Sequence, residues 1–174
     1  MKDIISSGYA ERVPVEEVMK SREVWYIPHL GVYHKKKPGK IGVAFHCSAV
    51  YDGQSLNHQR LQGLDMTNNL IGILCRFRQE RIAFVCDIQE SIFHQVNVDV
   101  EHPNLLKFLW WDNPELKEDP VEFRMTVHLF RATSSPRCAN FALNTAADLY
   151  EETCGSEAAD FVRRYFYVDD GLGQ

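Results

Sequence analysis

Apolar and polar positions change period several times along the chain, and each change marks an element. Residues alternate from Val24 to Tyr33 and again from Ile41 to Phe45, with many β-branched and aromatic side chains. Lys35-Lys36-Lys37-Pro38-Gly39-Lys40 between them reads as a turn. The pattern predicts a β-hairpin with a basic tip. Ahead of it, Val15 to Arg22 follows Pro14 with acids early and bases late, as a short helix should. Leu64 to Phe77 places Leu70, Ile73, Leu74 and Phe77 at helical spacing, with Asp65 or Thr67 as N-cap. Ile82 to Cys86 is a continuous apolar run, predicted as a buried strand that emerges at Asp87. Leu105 to Trp111 and Val121 to Phe130 predict the arms of a second hairpin. Ser134-Ser135-Pro136 opens a helix that Cys138 to Tyr150 continues. An amphipathic stretch from Ser156 to Arg164 and a β-prone run from Tyr165 to Val168 lead into Asp169-Asp170-Gly171. Helices and hairpins in this order predict an α+β fold.

Composition narrows the class without naming a function. Of the 174 residues 45% are hydrophobic and 25% charged, which excludes a disordered tail, collagen or a coiled coil. No apolar run reaches the ~18 residues of a membrane span, and Met1 to Arg12 lacks the apolar core of a signal peptide. The expectation is an intracellular protein, cytoplasmic or nuclear, with no membrane partner. Five cysteines without a CxxC pair and seven scattered histidines predict neither a disulfide framework nor a His/Cys metal module. The net charge of −5 divides unevenly: residues 1–80 carry 11 Lys+Arg against 8 Asp+Glu, residues 81–174 carry 8 against 16. A basic front and an acidic back suit a protein that grips an anion with one part and holds cations with the other.

The acidic half offers the chemistry. Two predicted strands end in carboxylates, Asp87 and Asp169-Asp170. If they are sheet neighbours, three like charges converge and need a divalent cation to coexist. Mg²⁺ (or Mn²⁺) prefers such oxygens, and two ions can activate a hydroxyl and stabilise the leaving oxygen of a phosphoryl displacement.

Tyr167-Val168-Asp169-Asp170 resembles the YxDD signature of reverse transcriptases, where a tight hairpin presents two aspartates. Further segments follow in matching order: residues 25–41 (WYIPHLGVYHKKKPGKI), 45–57 (FHCSAVYDGQSLN), 86–96 (CDIQESIFHQV), 105–112 (LLKFLWWD) and 122–143 (EFRMTVHLFRATSSPRCANFAL). From about Gly8 to Leu172 the chain resembles the reverse transcriptase domain of Bel/Pao-type long-terminal-repeat retrotransposons. The resemblance implies an α+β polymerase right-hand fragment: an antiparallel palm sheet packed by helices, plus a fingers β-hairpin. It implies one unit over 1–174, fingers-rich to about residue 80 and palm-rich from 81, truncated after the YVDD motif. No thumb, protease, ribonuclease H or integrase segment is expected. Template-primer of RNA or DNA and deoxynucleoside triphosphates are the implied partners; the oligomeric state stays open.

By the same resemblance Asp87, Asp169 and Asp170 are the catalytic, metal-holding acids. Lys37 and Lys40 of the fingers, the Ile88 amide and Phe93, which bars a ribose 2′-hydroxyl, are nucleotide-binding. Ala132 to Pro136 line the start of a helix under template and primer. The chain departs from the pattern at Gly42, where an Arg would clamp phosphates, at His46 in place of an Asp, and at Arg131 in place of a Gly. Phe93 stands six residues after Asp87 rather than five. These departures imply a degenerate copy or a non-catalytic, nucleic-acid-binding or interaction remnant.

Overall fold

The computed structural model describes residues 1–18, 23–33, 39–88, 94, 96–98, 103–112 and 119–174. In chain order they form α1 (Lys2–Ser6), β1 (Ala10–Arg12), α2 (Val15–Val18), β2 (His29–Tyr33), β3 (Ile41–Phe45), α3 (Leu56–Gln59), α4 (Leu70–Arg76), β4 (Phe84–Asp87), β5 (Lys107–Trp110), β6 (Val121–Met125), α5 (Ser135–Cys154), α6 (Ser156–Tyr165), β7 (Phe166–Tyr167) and β8 (Asp170–Gly173). The fold is α+β with antiparallel sheets, as the patterning predicts. None of these helices is long and apolar enough to cross a membrane. The chain divides into two compact units, each assembled from two stretches: 1–61 with 97–132, and 62–96 with 133–174.

The first unit holds the sheet β1-β6-β5 and the β2-β3 hairpin. Its core is the side of these strands that carries Phe45, Phe108, Phe123 and Met125, closed by Ile27, Leu106 and Leu129. Lys107 is also fully buried, on the other side of β5, opposite Arg124. Its Nζ stands 2.9 Å from Glu122 Oε2, and Tyr26 Oη donates to Glu122 Oε1 at 2.5 Å. Burial pushes the Glu122 carboxyl up, but the bonds from Tyr26 and Lys107 and the lysine charge outweigh it and hold it below its ordinary value. Burial, with the bond to Glu122 and its charge, pushes the Tyr26 hydroxyl up to about 12. Two-residue chemistry also works locally: Asp52 and Gly53, with φ of 48° and 73°, close a tight turn in which Tyr51 and Gln54 exchange backbone bonds of 2.8 and 3.0 Å.

In the second unit the sheet order is β4-β8-β7, with α4 and α6 against it. Two expectations fail here for identifiable reasons. The helix predicted over Leu64–Phe77 begins only at Leu70, and its N-cap is Asn69, whose side chain accepts from Gly72 N–H at 3.1 Å. Asp65 instead turns the chain locally on Thr67 N–H. Asn68 Nδ2 donates to the carbonyls of Arg163 (2.9 Å) and Phe166 (3.0 Å), which holds this stretch out of the helix. The strand predicted as buried is an edge strand, with Phe84 49% and Val85 64% exposed. A continuous apolar run cannot by itself distinguish a strand covered on both faces from one covered on one. Residues 170–173 form β8, although Gly-Leu-Gly has little strand propensity. At the other end of the chain, α1 and β1 had no signal beyond their own few residues, and β1 exists by pairing with β6.

Two histidines of the first unit generate a pH dependence. His29 packs among Phe45, Phe108 and Trp110 at 5.5–5.8 Å. Burial lowers its pKa, against a backbone bond at Ile27; burial, then the charge of Arg60, lowers that of His128. The unfolded chain therefore binds protons that the folded chain refuses. The contribution to stability is complete above the ordinary histidine value of about 6.5 and is lost as pH falls from there toward the depressed folded values. Urea midpoints should fall between neutral pH and about pH 5, and the double variant His29→Phe/His128→Gln should flatten that slope.

Candidate active site

Sheet register decides what the second unit presents. Across β4 and β8 the direct partners are Phe84↔Gly173, Val85↔Leu172, Cys86↔Gly171 and Asp87↔Asp170; across β8 and β7 they are Gly171↔Phe166 and Asp170↔Tyr167. Opposed residues share a face. One face carries Phe84, Cys86, Phe166 and the two glycines, packed by Phe161 of α6, whose ring lies 5.3 Å from Phe84 and 5.7 Å from Phe166. A Cβ at Gly171 would meet Cys86 Sγ at 2.5 Å and the Phe166 ring at 2.8 Å, so this position has room for hydrogen only. The other face carries Asp87, Asp170 and Tyr167 in one row across three strands, beside the apolar pair Val85 and Leu172.

Asp169 lies next to that row, in the two-residue turn Val168-Asp169 that joins β7 to β8. The turn demands a positive φ at its first position, and Val168 supplies it at 60°, a region β-branched residues avoid. Packing of Val168 against Ala139 of α5, with Ile88 and Leu143, holds it there. Ile88 N–H donates to the Asp169 carbonyl at 3.2 Å, tying the turn to the end of β4. The three acids expected from sequence thus lie on neighbouring segments of one sheet.

Asp87 and Asp170 are exposed and Asp169 partly so. They supply the hard oxygens that Mg²⁺ or Mn²⁺ takes, so the donor chemistry fits such an ion. The side chains do not stand as a closed ligand set: among the described residues no group of three or more His, Cys, Asp or Glu is close enough to hold a metal.

The remaining expected residues divide. Lys37 and Phe93 lie outside the described residues. Lys40 is exposed just before β3 in the first unit. The Ile88 amide, expected to meet a nucleotide, is engaged by Asp169. Gly42 pairs with Val32, and a Cβ there would meet only the Val32 carbonyl, at 3.7 Å, so the strand has room for the Arg it lacks. His46 N–H donates to the Pro28 carbonyl at 2.8 Å. Arg131 has φ 74°, the left-handed region that glycine favours, and its guanidinium stands 5.8 Å over the Phe130 ring; none of the ion pairs among the described residues includes it. Ser135 and Pro136 open α5, and Ala132 is buried.

Tyr167 was not singled out as a surface neighbour of the acids, nor was the Lys107–Glu122–Tyr26 network. The period-two alternation Tyr167, Asp169-Asp170, Leu172 carries the first signal only once a hairpin is placed. A lysine inside the run Leu105 to Trp111 is the signal for the second. No protein-family model matches the chain, and no curated protein matches it.

Three stability measurements test these positions. Gly171→Ala should lower stability by about 1–3 kcal/mol, because buried Phe166 blocks the new methyl. Gly42→Ala should change it by no more than about 0.5 kcal/mol. Arg131→Gly, by contrast, should raise the urea midpoint, relieving roughly 1 kcal/mol of left-handed strain.

Proposed function

We propose that the chain is a reverse transcriptase domain of the Bel/Pao retrotransposon type, an RNA-directed DNA polymerase unit that adds deoxynucleotides to a primer 3′-hydroxyl. The observation that carries this reading is the pairing of Asp87 with Asp170 on adjacent antiparallel strands, with Asp169 in the joining turn. Two segments far apart in sequence, each placed by resemblance on a catalytic motif, are neighbours in one sheet, which supports the reading.

In the reaction the primer 3′-oxygen forms a bond to the α-phosphorus of the triphosphate, the α–β bridging bond breaks and pyrophosphate leaves. Asp87 and Asp169 would hold Mg²⁺ or Mn²⁺, with Asp170 completing the acidic set. Such ions supply activation of the hydroxyl and neutralisation of the leaving charge. The chain's own contribution is placement: paired strands fix Asp87 and Asp170, and the turn between β7 and β8 holds Asp169 next to them in the chain. The resemblance gives triphosphate contacts to Lys37, Lys40, Ile88 and Phe93. For Ile88 that contact requires its amide to leave the Asp169 carbonyl.

A second reading, a non-catalytic nucleic-acid-binding or interaction remnant, is favoured by one observation: the acids do not form a ready ligand set among the described residues. Primer extension with and without Mg²⁺ or Mn²⁺ separates the two. On the polymerase reading, incorporation requires the ion and Asp169→Asn reduces it by about a hundredfold or more, the scale of lost transition-state charge stabilisation. Template-primer affinity should hardly change in that variant, while it falls with salt at a log–log slope of about −0.7 to −0.9 per phosphate contact. Synthesis that survives Asp169→Asn overturns the catalytic assignment. No synthesis with either ion leaves the second reading.

A further inference from the structure

We propose that a cleft in the first unit, lined by Trp25, Tyr26, Pro28, Val50 and Tyr51, is a cage for a quaternary ammonium, the side chain of a trimethylated lysine in a basic segment of a protein partner. The cleft encloses about 540 Å³, within the range of ligand-sized pockets. Three of its side chains are aromatic, and the negative faces of such rings attract a cation without needing a hydrogen bond from it. Tyr51 is 80% exposed and held beside the Asp52-Gly53 turn, so its ring is free to cover a guest.

The charges beside the cleft have the sign that a cation needs. Glu23 directly precedes the lining residue Val24 and Asp52 directly follows Tyr51, while residues 23–28 and 47–54 hold no Lys or Arg. Tyr26 Oη donates to Glu122, whose charge is matched by buried Lys107. Asp52 is exposed and enters none of the ion pairs among the described residues. The lining also selects the kind of cation. A plain ammonium keeps three N–H donors that must find acceptors when it leaves water. The side chains of Trp25, Pro28 and Val50 offer none, and the Tyr26 hydroxyl is turned to Glu122. A trimethylammonium has no donor to satisfy, and ring faces meet its charge. The cleft is larger than that headgroup alone, which leaves room for a neighbouring residue, and Asp52 suits an adjacent Lys or Arg. The acids of the second unit take no part, so the site is independent of polymerase activity.

The test is fluorescence anisotropy of the full chain with a labelled basic peptide carrying one trimethyl-lysine, beside the same peptide with lysine, and with an uncharged tert-butyl isostere, at that position. The trimethyl-lysine peptide should bind roughly five- to thirtyfold more tightly than either, the scale of one desolvated cation over aromatic rings. Tyr51→Ala should remove that preference, while Tyr51→Phe keeps it. Asp52→Asn, which tolerates the same left-handed backbone, should weaken all three peptides and leave the preference among them. Circular dichroism of each variant separates loss of the cleft from loss of fold; if Tyr51→Ala does not fold, the three peptides on the unaltered chain decide. Equal affinity for trimethyl-lysine and lysine, equal affinity for trimethyl-lysine and its isostere, a preference that survives Tyr51→Ala, or peptide binding indifferent to Asp52→Asn overturns the proposal. Choline chloride should displace the trimethyl-lysine peptide only at far higher concentration; if it binds as tightly as the peptide, the site takes the free ion and the protein partner is refuted.

Discussion

The acidic face depends on the phase of the β4–β8 pairing, and that phase is set from behind by ring packing. Phe84, Phe161 and Phe166 fill the covered side so closely that β8 can oppose them only with Gly171 and Gly173. The alternation Asp, Gly, Leu, Gly along β8 then turns Asp170 and Leu172 outward. A slip of one residue would drive Asp170 under α6 and lift a glycine to the surface, losing the apolar contacts and burying a charge together. The aromatic packing thus chooses the register, and the register chooses which carboxylates share a face.

The first unit solves a related problem with a charge inside. Lys107 precedes Phe108 on a strand whose start is buried, so its ammonium cannot reach water. Glu122, on the neighbouring strand, and the Tyr26 hydroxyl complete it with hydrogen bonds. Removing one member of such a set leaves an uncompensated buried group, which is why these positions couple β5, β6 and the segment before β2. That segment is the one whose outer side forms the aromatic cleft, so the walls of the cleft are anchored by polar contacts beneath them.

Much of this was legible in the residues. The hairpins, the two long helices that begin around Pro136 and the strand ending in Asp87 follow from periodicity and punctuation alone; the run Tyr165 to Val168 is strand only at Phe166–Tyr167, and Asp170 opens β8 instead of ending a strand. Legibility failed where long-range contacts override local preference. Asn68 reads as part of a helix until its amide is seen bridging two carbonyls nearly a hundred residues away. Gly171-Leu172-Gly173 has little strand propensity of its own, and the phenyl rings that require its glycines come from the distant residues Phe84 and Phe161 and from Phe166. Solvent on one side of Ile82 to Cys86 has no local signature, because the other side of a strand is chosen by what packs there. Of the acidic site, sequence supplied the residues; the register that opposes Asp87 to Asp170 rather than to Asp169 came only from the sheet.

Among the described residues β4 pairs on one side only, which gives Asp87 a duty apart from the proposed chemistry. Phe84 and Val85 are substantially exposed on a strand hydrogen-bonded to one neighbour among the described strands, and Ile82 just before it is exposed too, a combination that invites other chains to add a strand. A carboxylate at the end of such a run acts as a gatekeeper, since two edges that approach bring their charges together. An amide in its place would remove the charge that guards the edge. Self-association in preparations of such a variant would then report on solubility, not on chemistry.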